Sequence, residues 1–260
     1  MGAVPGSDHR VVVSLVVPAY NEADLLPRLL DTVDAARRRF HGGEEKIETI
    51  VADNASTDAT AAIAEDRGCR VVPVAQRCIG AVRNGGAAVA RGSLLAFVDA
   101  DIRIHPETFN AIESAMASGV IAAGATGVEL ERWSLGIAAT YALFMPFVWI
   151  TRMDTGVVFC RRRDFEAIGG YDENLLFGED VRLLVDLRRL GRPRGRRLIR
   201  LRSVKAVASM RKFDRWGDWH YFSLVPKLAL ELLRRRGGPS ELVRRYWYDA
   251  RSDSPQDGVE

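Results

Sequence analysis

Two acids separated by one residue, Asp99 and Asp101, close an apolar run that reads Leu-Leu-Ala-Phe-Val-Asp-Ala-Asp-Ile-Arg-Ile from Leu94 to Ile104. On an extended backbone, residues two apart point to the same side, so both carboxylates face one site. Oxygen donors on a loop suit a hard divalent cation, Mn²⁺ or Mg²⁺, that keeps positions open for substrate phosphates. The same two residues also suit a turn and cap ahead of Pro106, where Asp is common for local hydrogen-bonding reasons. Taken alone, an Asp-x-Asp tripeptide does not choose between the two.

Three more polar clusters carry groups of the same kind: Pro18-Ala19-Tyr20-Asn21-Glu22, then Asp53-Asn54 leading to Asp58, then Glu179-Asp180. Glu179 and Asp180 can act in proton transfer, and they equally favour a helix N-terminus. Arg83, on the helix expected after the third strand, is a cation that could stabilise negative charge in the same site.

The elements that must hold these groups follow from periodicity. The largely apolar run Val11 to Val17 predicts a first strand, and Ile47 to Ala52 a second. Leu25, Leu26, Leu29, Leu30 and Val33 recur at helical spacing, with Asn21 as the expected cap and Arg37 to Arg39 at the end. The pattern predicts a third strand near Arg70 to Val74, a helix from Ile79 to Ala90 and a fourth strand through Asp99 and Asp101. Beyond these it predicts a buried or interfacial helix from Trp133 to Ile150, a strand from Thr155 to Cys160 and a helix after Gly178. Strand and helix alternate, so the fold class is α/β, with a mostly parallel, doubly wound sheet covered by helices on both faces. Such sheets bind ligands beyond the carboxyl ends of their strands, where each polar cluster falls. No Gly-x-Gly-x-x-Gly follows the first strand and no P-loop occurs, which disfavours a dinucleotide dehydrogenase or P-loop NTPase.

The chain has 260 residues, 47% hydrophobic and 27% charged, as expected of one globular domain with an extension. Its net charge of +3 conceals an asymmetry. From Arg188 to Arg245, 18 Lys or Arg stand against 4 acids, a net of +14, which leaves −11 for the remainder. Cys69, Cys78 and Cys160 are odd in number and widely spaced, which fits a reducing cytosol better than a disulfide framework. No apolar run is long enough to span a bilayer, and the N-terminus has no secretory core.

In order and spacing, the four clusters resemble the family 2 glycosyltransferases of GT-A fold, over about Val12 to Gly191. The resemblance implies a catalytic domain over residues 1–210, with a basic helical extension over 211–260 packed on it. Pro18, Ala19, Tyr20 and Glu22 would line the nucleotide pocket, with Tyr20 against the base, and Asp53 and Asn54 would read base and ribose. Asp99 would approach the ribose or metal, Asp101 would ligate Mn²⁺ or Mg²⁺, and His220 is a candidate third ligand. Asp180 would be the general base and Glu179 would orient the acceptor. The implied reaction moves a sugar from a nucleotide-diphosphate donor to an acceptor hydroxyl, non-processively and, with one base, with inversion. Lys212-Phe213-Asp214-Arg215-Trp216 resembles the Gln-x-x-Arg-Trp of processive members, with Lys212 in place of Gln. A sugar-nucleotide-forming nucleotidyltransferase and a non-catalytic nucleotide-sugar-binding protein are the rival classes.

The basic third, with the amphipathic stretch Phe222 to Leu233, predicts attachment to an anionic cytoplasmic membrane surface and a lipid-linked acceptor, as in glycolipid or envelope polysaccharide synthesis. Little aromatic interleaving in the Arg-rich run argues against nucleic acid. The sugar, the base and the oligomeric state are not written in these motifs.

Overall fold

The computed structural model describes residues 10–140, 142–143, 156–175 and 178–219. Its strands are β1 (Val13–Ala19), β2 (Ile47–Asp53), β3 (Arg70–Pro73), β4 (Leu94–Phe97), β5 (Ile102–Arg103), β6 (Ile121–Leu130), β7 (Val158–Arg161) and β8 (Arg197–Ala208). Its helices are α1 (Leu26–Arg38), α2 (Thr60–Asp66), α3 (Ile79–Ala88), α4 (Thr108–Ala117), α5 (Arg162–Ala167), α6 (Glu179–Gly191) and α7 (Arg211–Trp216).

All eight strands form one sheet in the order β3-β2-β1-β4-β7-β6-β8-β5. β1 pairs in parallel with both β2 and β4, so the chain reverses direction across the sheet at β1 and opens a crevice at the strands' carboxyl ends. The far half is mixed, because β7 runs antiparallel to β4 and β6, and β5 antiparallel to β8. Every residue of β1 and β2 is buried, the polar Ser14, Glu48, Thr49 and Asp53 included. Val13, Leu15 and Val17 face α1 and α4 on one side, whereas Val16 joins α3 and α6 on the other. This alternation is the period of the strand.

Three expectations change here. The run from Leu94 to Ile104 is not one strand: β4 stops at Phe97, and Asp99 and Asp101 lie in a turn closed by the Ile102 amide donating to the Asp99 carbonyl at 3.1 Å. Asn21 does not cap α1, whose cap position is Leu25 with no side-chain bond. Instead Asn21 takes a left-handed conformation (φ 51°), and its Oδ1 accepts from the Thr57 amide at 2.8 Å. The strands β6 and β8 were not foreseen. The first is rich in Ala and Gly, and the second alternates Arg or Lys with apolar residues at a sheet position half exposed. Of the helix expected from Trp133 to Ile150, residues 135–140 and 142–143 are helical, whereas 141 and 144–150 lie outside the described residues, as does the Phe222 to Leu233 stretch.

Candidate active site

The crevice is built by loops that bind one another through side chains. The amides of Asn21, Glu22 and Ala23 donate to Ser56 Oγ, Thr60 Oγ1 and Asp58 Oδ2 at 3.0, 2.8 and 3.1 Å. The polar run after β2 is therefore spent on joining the first two strand ends. Asp58 Oδ1 also accepts from the Thr60 amide at 2.9 Å, so the start of α2 is satisfied within the protein.

Asp53 is buried, and its Oδ2 accepts from the Ser56 amide at 3.3 Å while Oδ1 is buried without a hydrogen-bond partner. A buried carboxylate oxygen left in that state is costly unless a ligand donates to it. Asn54 is just as buried, and its Nδ2 donates to the carbonyls of Val74 and Gln76 at 2.7 and 2.9 Å. Its amide braces the loop after β3. The Tyr20 ring, also buried, lies under the Arg77 guanidinium, 4.6 Å from the ring centroid.

The centre of the site is Arg83. Its helix, α3, approaches β1 closely because Gly86 has no side chain: a Cβ there would lie 2.5 Å from Val16 Cγ1. That approach lowers the Arg83 side chain, only 4% exposed, among the acids. Nη2 donates to Asp99 Oδ1 at 2.8 Å and Nη1 to Glu179 Oε1 at 2.8 Å, with Asp180 Oδ1 at 3.2 Å from Nη1. Tyr171 packs its ring under the guanidinium, 5.1 Å away, and donates its hydroxyl to Asp180 Oδ1 at 2.8 Å. The Arg83 fork is thus bonded to the protein's own carboxylates.

These contacts set the protonation of the site. Burial pushes Asp180 up to about 6, against the opposing pull of Arg83; the charges of Glu179 and Asp99 add to the rise and the Tyr171 hydroxyl offsets part of it. Burial likewise raises Tyr171 well above the usual phenol range, so its hydroxyl stays a donor to Asp180. A carboxylate near pH 6 that is still partly open to solvent is matched to general-base work at neutral pH.

Asp101 takes a different partner. Arg211, the first residue of α7, holds both oxygens of Glu22 at 2.7 and 3.0 Å and reaches Asp101 Oδ2 at 3.5 Å. The pairing of β5 with β8, Ile102 opposite Ala208, carries Arg211 to this point from 110 residues away. The sequence marks Lys212 to Trp216 and gives the neighbouring Arg211 no role. Its only signal was proximity to the Lys-x-x-Arg-Trp pattern. The structure thus brings Glu22 together with Asp101, and Asp99 together with Glu179 and Asp180. His220 lies outside the described residues. Pro18 and Ala19 end β1 in register with Ala52 and Asp53, at the crevice floor.

A mixed α/β sheet whose topology reverses at β1, with acids on the turn after β4 and at the start of α6, is a fold of GT-A type. Residues 14–136, somewhat under half of the chain, match the model for glycosyl transferase family 2. It is similar to a validoxylamine A glucosyltransferase of Streptomyces hygroscopicus subsp. jinggangensis, 36% identical over 122 residues that cover 44% of this chain and 28% of the relative. It is also similar to an undecaprenyl-phosphate 4-deoxy-4-formamido-L-arabinose transferase of Pseudomonas paraeruginosa, 36% identical over 42% of this chain and 33% of that protein. The chain thus spans about a third or less of the length of these relatives. Among solved structures, the mannosyltransferase PcManGT of Pyrobaculum calidifontis, in complex with GDP-Man and Mn²⁺, shares the fold. It aligns with a TM-score of 0.61 and 21% identity over 91% of this chain and 68% of that one.

Proposed function

We propose that the protein transfers a glycosyl group from a nucleoside-diphosphate sugar to an acceptor hydroxyl, with Asp180 as general base. The observation that carries this is the Arg83 cluster, which holds one partly accessible carboxylate near pH 6 at the mouth of the crevice. Asp180 takes the acceptor's proton, the acceptor oxygen attacks the anomeric carbon, and the bond to the diphosphate breaks with its electron pair leaving on the diphosphate. One base and one displacement imply inversion. Glu179, bonded to Arg83, orients the acceptor. Asp53 supports base recognition, since its unpartnered Oδ1 can accept an N–H from a nucleobase.

Asp101 and Asp99 supply oxygen donors of the kind Mn²⁺ and Mg²⁺ favour. Among the described residues no third His, Cys, Asp or Glu joins them in a metal-holding group. The donor set therefore fits a cation that takes its other ligands from phosphate oxygens and water. When bound, it would supply charge neutralisation at the leaving diphosphate. Similarity to a structure holding GDP-Man and Mn²⁺ favours this.

A lipid-linked acceptor at an anionic membrane surface is the reading we favour for the second substrate. Arg192, Arg194, Arg197, Arg202 and Lys205 are exposed on one continuous segment, and Leu135 is 84% and Trp219 57% exposed. No helix among the described residues is long and apolar enough to cross a membrane. Flotation with anionic liposomes at low salt, lost at high salt, is the expected result.

Nucleotide-dependent thermal stabilisation tests the donor assignment. A ligand at a hundred times its Kd adds ~2.7 kcal/mol of apparent stability, or roughly 5–11 °C for a domain of this size. No shift with UDP-, GDP- or dTDP-sugars in the presence of Mn²⁺ would remove the proposal.

A further inference from the structure

We infer that Arg211 is the cation that receives the donor's diphosphate, and that Glu22 is the residue that aims it. This rests on the donor reading above and assigns a group that the motifs leave unassigned. Charge on a leaving diphosphate needs a positive partner. Arg83 is not available for it, because its fork is committed to Asp99, Glu179 and Asp180 within a buried cluster.

Arg211 has the opposite character. Its side chain is 34% exposed, and it contacts Asp101 on the turn after β4. One edge of the guanidinium is fixed by the bidentate bond to Glu22, whose own side chain is 1% exposed, so the fork cannot turn freely. Its contact to Asp101 is the loose one, at 3.5 Å. Glu22 is thus a rigid anchor, and Asp101 a partner that can be exchanged. An incoming diphosphate beside Asp101 would meet a guanidinium already oriented, with N–H donors still to spend. Desolvation opposes its charge while Glu22, Asp101 and Asp24 keep it protonated. Arg132, bonded to Asp214 and Asp218 at 2.6 and 2.8 Å, docks the rest of the segment to the end of β6, so α7 is held from both ends.

The experiment compares nucleoside diphosphates with the matching monophosphates in isothermal titration with Mn²⁺, using UDP with UMP and GDP with GMP. In Arg211→Met the affinity for the diphosphate that the wild type binds should fall ~10- to 100-fold, with the monophosphate changed less than ~3-fold. Glu22→Gln should weaken the diphosphate through the same contact, and the double variant should bind no worse than Arg211→Met alone. Because Arg211→Met leaves Glu22 buried without its partner, the double variant also serves as the one in which no charge is orphaned. Equal losses for diphosphate and monophosphate, or strictly additive effects of the two substitutions, would overturn the inference while leaving the donor reading intact. Absence of binding by the wild type to either diphosphate would overturn the donor reading and the inference with it.

Discussion

Replacing Arg83 by Met keeps most of the side chain's volume and removes its charge from a site 4% exposed. Asp99, Glu179 and Asp180 then face one another without the guanidinium that now lies 2.8–3.2 Å from each. Breaking a buried charge group by removing one partner costs ~3–5 kcal/mol. For a chain of this size that lowers Tm by about 6–20 °C. The pH dependence fixes the cause. Asp180 already has a folded value of about 6, above its ordinary 3.8, and loss of Arg83 raises it further. A carboxylate raised in this way binds its proton more tightly in the fold, so acid favours the folded variant. The penalty is full above the folded value and shrinks as pH falls toward the ordinary one. Thermal melts followed by circular dichroism at pH 7.5 and pH 5 measure both effects. A loss below about 1 kcal/mol at pH 7.5 would refute the buried-charge account. So would a penalty no smaller at pH 5.

Asp180→Asn keeps the shape but accepts no proton, and turnover should fall by roughly two to four orders of magnitude while the donor Kd, by titration, stays within about twofold. In wild type, kcat/KM should rise with pH and level off above about 6, because the base must be ionised. Tyr171→Phe deletes the hydroxyl that favours ionised Asp180, so the same limb should move to higher pH. Asn54→Ala takes donors from the carbonyls of Val74 and Gln76, and urea melts should show a loss of ~1–3 kcal/mol.

Much of this site is legible in the chain because its acids sit at strand ends and helix starts, which local pattern locates. Val13–Ala19 announces itself by apolar composition, and α6 by its leucines and its acidic first turn. What local pattern cannot show is who pairs with whom. Arg83 meets Glu179 across 96 residues, and Arg211 meets Glu22 across 189, through sheet pairings that carry no mark in either segment. The break at Val98 was hidden for a related reason: an apolar residue before Asp99 reads as strand whether or not a neighbour strand continues beside it. Asn21 looks like a cap by residue type and instead ties two loops together, while Asn54 braces the loop after β3 through its amide nitrogen. The same amide chemistry serves either role, and only the position of the partner decides.

Product analysis tests the central claim most directly. The protein is incubated with UDP-, GDP- and dTDP-sugars, Mn²⁺ and a membrane lipid extract as acceptor source, and the released nucleotide is identified by chromatography. The account predicts a nucleoside diphosphate from one donor class, with an equal amount of sugar joined to acceptor and no release by Asp180→Asn. Pyrophosphate-forming chemistry, or silence with every donor, would contradict it.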